Sequence, residues 1–146
     1  MNNPVWNLLV TTNRWFVLIG IVVSTVVWML WYGPTLFGPL YWKLLGVNMD
    51  SVTPEERNAG MMRSMPRELM SRVLYFIGLW YALEMSGWTS LSLCLLFAFV
   101  VWLVFVFPAN MSQTAWSNYS LKMLWLIAGN TLLSTLIATT IWFFVF

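Results

Sequence analysis

Histidine is absent from the sequence, and cysteine occurs once, as Cys94. The first absence removes the commonest general base, the commonest zinc ligand and the commonest axial ligand of haem. The second rules out an intramolecular disulfide, so Cys94 says nothing about redox compartment. Charge is scarce as well: seven Lys and Arg and five Asp and Glu amount to 8% of 146 residues, against about 25% in soluble domains. A net charge of +2 suggests no nucleic-acid partner. There is no Gly-x-Ser-x-Gly, no phosphate loop and no metal-spaced cluster, and the five carboxylates do not converge. The expectation is a protein that is not an enzyme and has no identifiable cofactor or metal.

Apolar residues fill the space the missing groups leave. The chain is 60% hydrophobic, with eleven Trp, ten Phe and ten Met, and its mean hydropathy is +0.76. That is enough apolar sequence for several membrane spans of about 20 residues each. The pattern predicts an all-α integral membrane bundle: a single transmembrane domain over residues 1–146, with four transmembrane helices at about 14–32, 66–85, 90–107 and 121–144. An amphipathic segment over residues 33–65 lies between the first two.

Asn3 and Pro4 fit a helix start before the first span. The first apolar run ends in Trp31-Tyr32-Gly33-Pro34 and is longer than the h-region of a signal peptide, so it is read as a retained span. Within it, Gly20 and Ser24 form a small-xxx-small pair that admits a close neighbour, and Trp28, Trp31 and Tyr32 cluster like an aromatic belt. Leu36, Phe37, Leu40, Tyr41, Leu44 and Leu45 make a helical stripe beside Trp42 and Lys43, the pattern of an interfacial helix. Thr53-Pro54-Glu55-Glu56 is a capping box opening a short surface helix to about Met65. Pro66 starts the second span, which Arg67 and Arg72 anchor by snorkelling. Ser86-Gly87-Trp88-Thr89 reads as a tight turn. The third span carries Phe97, Phe99, Trp102, Phe105 and Phe107 nearly all round, and Pro108 closes it. The fourth repeats small polar residues, Asn130, Ser134, Thr131, Thr135 and Thr139, which mark its most buried face.

Lys43, Arg57, Arg63, Arg67, Arg72 and Lys122 gather on one side and Arg14 alone lies opposite. The positive-inside rule then places both long loops in the cytoplasm and both termini outside.

Trp31-Tyr32-Gly33-Pro34-Thr35-Leu36-Phe37-Gly38, followed by Tyr41-Trp42-Lys43-Leu44-Leu45-Gly46, resembles the hallmark of a bacterial family of four-helix membrane proteins. That family is catalogued as the domain of unknown function seventeen sixty-one. Phe105-Val106-Phe107-Pro108 and Leu121-Lys122-Met123-Leu124-Trp125-Leu126-Ile127-Ala128-Gly129 are similar to its ending. The resemblance covers about residues 13–146 and implies topology rather than mechanism, together with a location in the bacterial inner membrane with both termini on the periplasmic side. Members usually carry Asn before the Ala-Gly and a Tyr-His-like pair after it. Here Asn130 follows Gly129 and the histidine is gone, so an activity resting on that histidine does not carry over.

Two functions follow. The first is an accessory or assembly subunit that packs apolar, shape-adaptable faces against other subunits of a larger photosynthetic or respiratory type of complex. Trp28, Trp31, Tyr32, Phe37, Trp42, Phe99 and Trp102 are the candidate partner or lipid contacts. Carotenoid, quinone or lipid tails are open as further contacts, since they leave no motif. The alternative is a small oligomeric transporter or channel using Glu84 with Asn130, Ser134 and Thr135 as intramembrane polar groups.

Overall fold

The computed structural model describes residues 14–47, 52–87 and 89–145. The helix start expected at Asn3 and Pro4 lies outside these residues, as does Trp88 of the turn. Among the described residues all regular structure is helical: α1 (Arg14–Trp31), α2 (Gly38–Leu44), α3 (Pro54–Ser86), α4 (Leu91–Val101), a π-turn (Trp102–Val106), α5 (Phe107–Trp116) and α6 (Leu121–Val145).

Two continuous stretches, Leu91–Trp116 and Leu121–Val145, are long and apolar enough to cross a membrane, and Trp15–Trp31 is an apolar helix of shorter length. The other half of the bundle is amphipathic, because α3 carries Glu68 and Arg72 in its middle.

Two prolines expected to bound helices do not. Thr53 caps α3 as the capping box requires, accepting from the Glu56 amide at 3.2 Å while its own amide donates to the Glu56 carboxylate at 3.0 Å. The helix then runs 33 residues without a break through Pro66. The surface helix and the second span are therefore one element. Proline removes one backbone donor and crowds the carbonyl four residues back. At Pro66 the described neighbours, Met62 and Met65, are exposed, so the freed carbonyl side of the helix is not sealed in a core.

Pro108 likewise does not close the third span. The π-turn precedes it: the Phe107 amide donates to the Trp102 carbonyl, five residues back. The ladder is already out of α register where the proline ring needs room, and the helix resumes as α5 to Trp116.

The corner after α1 depends on close backbone approach. The Phe37 amide donates to the Trp31 carbonyl at 3.0 Å and the Gly38 amide to the Gly33 carbonyl at 3.1 Å. A Cβ at Gly38 would lie 2.5 Å from the Tyr32 carbonyl oxygen, a clash that glycine avoids. Helix α2 starts there with Pro39 in its first turn. Gly87, at φ +62°, ends α3 in the left-handed conformation and turns the chain towards α4.

Helix α1 packs antiparallel against both α3 and α6, and α4 packs on α6. The small-residue pair on α1 admits α3: an added Cβ at Gly20 would meet the Phe76 ring at 2.7 Å, and Ser24 is buried. The main core joins Phe16, Phe76, Leu79, Trp80, Leu83, Cys94, Ala98 and Ala138. It ties the start of α1 and the end of α3 to the start of α4 and the end of α6. The small face of α6 is its buried face, through Ala128, Asn130, Ser134, Thr135, Ala138 and Thr139.

Candidate functional site

Helices α3 and α4 are pinned together near Gly87 by Leu83, Trp80, Cys94 and Ala98. Away from the turn they separate. Phe76 and Leu79 of α3 face Phe97, Val100, Val101 and Val104 across a cleft of about 1160 Å³, which α6 backs with Ile127, Asn130, Thr131 and Ser134. The splay puts an apolar wall on one side and the polar stripe of α6 on the other.

Polar groups gather at the end away from Gly87. Arg72 and Glu68 line the cleft and are joined one turn apart. Nε and Nη2 of Arg72 donate to the same Glu68 oxygen at 3.0 and 2.9 Å. The arginine side chain is 14% exposed and the glutamate 60%, so the cation is inside the bundle while its partner reaches out. Tyr75, one turn further along α3, meets Thr135 of α6 at 2.6 Å. Both α3 and α6 run antiparallel to α1, so Arg72 lies within about one helical turn of the level of Asn130 and Thr131. Sequence alone placed Arg72 as an anchor at the end of a span. The structure puts it in the cleft.

Asn110 and Gln113 of α5, Tyr32 of the corner after α1 and Tyr41 of α2 complete the polar end. The rings of Tyr32 and Tyr41 are 4.7 Å apart edge to face, and Trp28 lies 5.8 Å from Tyr32. Burial pushes the Tyr41 phenol up, with Tyr119 and Glu68 adding to the shift. This phenol is a neutral hydrogen-bonding group near Glu68.

Two side-chain nitrogens here have no hydrogen-bond partner: Nδ2 of Asn110 and Nδ2 of Asn130, both buried. Asn130 itself is 5% exposed. Native structures seldom leave such donors unmade. Their neighbours are satisfied: Ser134 donates to the Asn130 carbonyl at 2.9 Å, and the Trp102 indole to the Thr131 hydroxyl at 3.0 Å.

The residues singled out from sequence divide by environment. Trp28 and Tyr32 line the cleft. Trp31 points inward, its indole donating to the Leu126 carbonyl of α6 at 3.0 Å, with Phe37 against its ring at 4.6 Å. Trp42 packs on Tyr41 at 5.3 Å. Trp102 is buried, and Phe99, partly exposed, stacks on it at 5.9 Å. Asn130 and Ser134 line the cleft, while Thr135 is held by Tyr75. Glu84 is exposed and does not line the cleft.

Sequence reasoning missed Glu68, Arg72, Tyr75, Asn110 and Gln113. The signal for three of them was present. Glu68, Arg72, Tyr75 and Leu79 recur at helical spacing of three and four, so they share one face of α3. Among the described residues, no group of three or more His, Cys, Asp or Glu is placed to hold a metal ion.

A family model described as Protein of unknown function (DUF1761) matches residues 15–143. The chain belongs to this family. The matched span includes every helix that lines the cleft, so the cleft is built from the family's own domain. No curated protein and no solved structure matches the chain.

Proposed function

We propose that this DUF1761 protein is a non-catalytic membrane protein that holds an apolar, membrane-soluble small molecule in the cleft between α3 and α4. The observation that carries the reading is the cleft itself, at about 1160 Å³. A cavity with mostly apolar walls and a few convergent polar groups is the usual form of a small-molecule site. In this reading the stretches Leu91–Trp116 and Leu121–Val145 cross the bilayer, and α1 and the second half of α3 complete a four-helix bundle. With Arg72 inside the bundle, Lys43, Arg57, Arg63, Arg67 and Lys122 still outweigh Arg14. The positive-inside rule then keeps residues 33–65 in the cytoplasm and both termini outside a bacterial inner membrane.

Exposed aromatics such as Trp15, Trp116 and Trp125 are the ground for the accessory-subunit reading. In lipid those faces need no protein partner, so the cleft is the stronger guide. Transport through Glu84 together with Asn130 would need the two in one path. Twelve residues along α3 separate Glu84 from Arg72, about 18 Å.

Organic extraction and native mass spectrometry of the detergent-purified protein test the binding reading. We expect a stoichiometric apolar small molecule, displaced when Val101→Trp fills the cleft. A chain that carries no such molecule, and whose melting temperature is unmoved by any membrane-lipid fraction, would overturn it. Co-purification of a larger complex in mild detergent would instead favour the accessory role.

A further inference from the structure

We infer that the occupant of the cleft is a zwitterionic phospholipid of the cytoplasmic leaflet, seated with its phosphate at Arg72 and its ammonium at Glu68. The inference deepens the binding reading and rests on it: the apolar body is a lipid tail.

The order of charge along α3 carries the assignment. Phe76 and Leu79 line the apolar part of the cleft, Arg72 follows, and Glu68 lies one turn further from Gly87. About 6 Å of helix axis separates the two charged residues. A phospholipid with an ammonium head has the same order in opposite sign: hydrocarbon, then phosphate, then ammonium. With its tail towards Gly87, each of its charges meets the complementary one. Exposure follows the same order. The Arg72 side chain is 14% exposed and that of Glu68 is 60% exposed. The phosphate, next to the tail, meets the more enclosed charge, and the ammonium meets the one at the rim.

The ion pair takes such a head without coming apart. Nε and Nη2 of Arg72 both donate to Oε1 of Glu68. A guanidinium has five N–H donors and a carboxylate has a second oxygen. Among the described residues, Nη1 of Arg72 and Oε2 of Glu68 make no hydrogen bond. A purely anionic head would bring its charge up to Glu68 as well as to Arg72, and a purely cationic head would meet the reverse conflict. An uncharged head uses neither group. Tyr32 and Tyr41 line the same end, and both phenols are within electrostatic reach of Glu68. Their rings offer an ammonium a second attraction.

The apolar part has the length of one leaflet. Ala82 lines the deep end of the cleft. From Arg72 to Ala82 the helix rises about 15 Å, half of a hydrocarbon core of about 30 Å. Val100, Val101 and Val104 of α4 face this part and suit an acyl chain. Residues 33–65 lie in the cytoplasm in the orientation proposed above, so Glu68 stands at the headgroup level of that leaflet.

The test is native mass spectrometry of the full chain, delipidated in detergent and given an equal mixture of dilauroyl lipids. The heads are phosphoethanolamine, phosphocholine, phosphoglycerol and the bare hydroxyl of diacylglycerol. We expect one or both ammonium lipids to be retained about tenfold over the other two, the scale of one charge-assisted contact. Preference for phosphoethanolamine identifies a hydrogen-bonded primary ammonium, and preference for phosphocholine identifies a quaternary one held by the aromatic rings. Glu68→Arg combined with Arg72→Glu keeps a neutral pair at the same spacing and reverses its order. That double variant should lose the preference for ammonium lipids while its melting temperature without lipid stays level. Glu68→Gln is the second variant and serves should the double variant fail to fold. It leaves Arg72 without its counter-charge and should shift retention to phosphoglycerol.

Equal retention of all four lipids overturns the inference, as does a preference for phosphoglycerol or diacylglycerol in the wild type. An ammonium preference that survives the reversed pair, or Glu68→Gln, also overturns it. If an apolar molecule without a zwitterionic head co-purifies and Val101→Trp displaces it, the cleft reading stands and the headgroup assignment falls. If nothing co-purifies and no lipid is retained, both fall.

Discussion

At the scale of single residues, indole and phenol hydrogen bonds join helices that apolar packing alone would let slide. The Trp31 indole reaches across 95 residues of sequence to the Leu126 carbonyl, and its ring lies over Gly129, where an added Cβ would come within 3.1 Å. Trp31→Phe keeps the ring and removes the donor, so it should cost about 1 kcal/mol, read as a lower unfolding midpoint in detergent. Gly20→Val should cost about 1–3 kcal/mol by overpacking the Phe76 ring. Tyr41 adds a pH dependence. Its folded-state pKa is raised above the ordinary value of 10.0 by burial, Tyr119 and Glu68. A raised pKa means that the folded form favours the neutral phenol. Its stabilising contribution is therefore complete below about pH 10 and is lost as pH rises through the higher folded value. Comparing alkaline unfolding of the wild type with Tyr41→Phe checks the sign: the variant should lose less stability above pH 10.

At the scale of elements, two helices continue through prolines where local rules stop them. The sequence reading of a break at Pro66 and a stop at Pro108 followed the usual effect of a missing N–H. What local rules do not see is how each helix absorbs it: exposed flanks at Pro66, and a π-turn before Pro108. Pro108→Ala removes the reason for the wide turn. The expected outcome is slower amide exchange over residues 102–107 and a disturbed Trp102–Thr131 hydrogen bond, visible as a shift in tryptophan emission. The other end of α3 obeys its local code. Thr53→Ala should cost about 1 kcal/mol of local helix stability, measured as faster exchange at the Glu56 amide, with the cleft unaffected.

At the scale of the whole molecule, the turn at Gly87 acts as the closed end of a wedge, and the cleft is what the wedge leaves open. Cys94 sits at that closed end with no exposed surface. A maleimide should fail to label it in the folded protein and label it fully after unfolding. Labelling in the folded state at a rate matching a free thiol would show that α3 and α4 separate along their whole length. Such a separation would also change the volume available to any occupant.

Helix periodicity, the capping box at Thr53, the closeness of Gly20 to a neighbour and the buried small face of α6 were all legible in sequence. Each is a short-range consequence of side-chain size, spacing or backbone hydrogen bonding, and so is the family signature at the corner after Trp31. The cleft was not legible, because it depends on how far α3 and α4 diverge beyond Gly87. The place of Arg72 was hidden for the same reason. On a sequence, an arginine near the start of an apolar run reads as an anchor, and only the register set by Tyr75 with Thr135 turns it into the cleft. Asn130 showed its type and its helix face in the sequence. That its amide nitrogen would be buried without a hydrogen-bond partner was decided by how the neighbouring helices pack around α6.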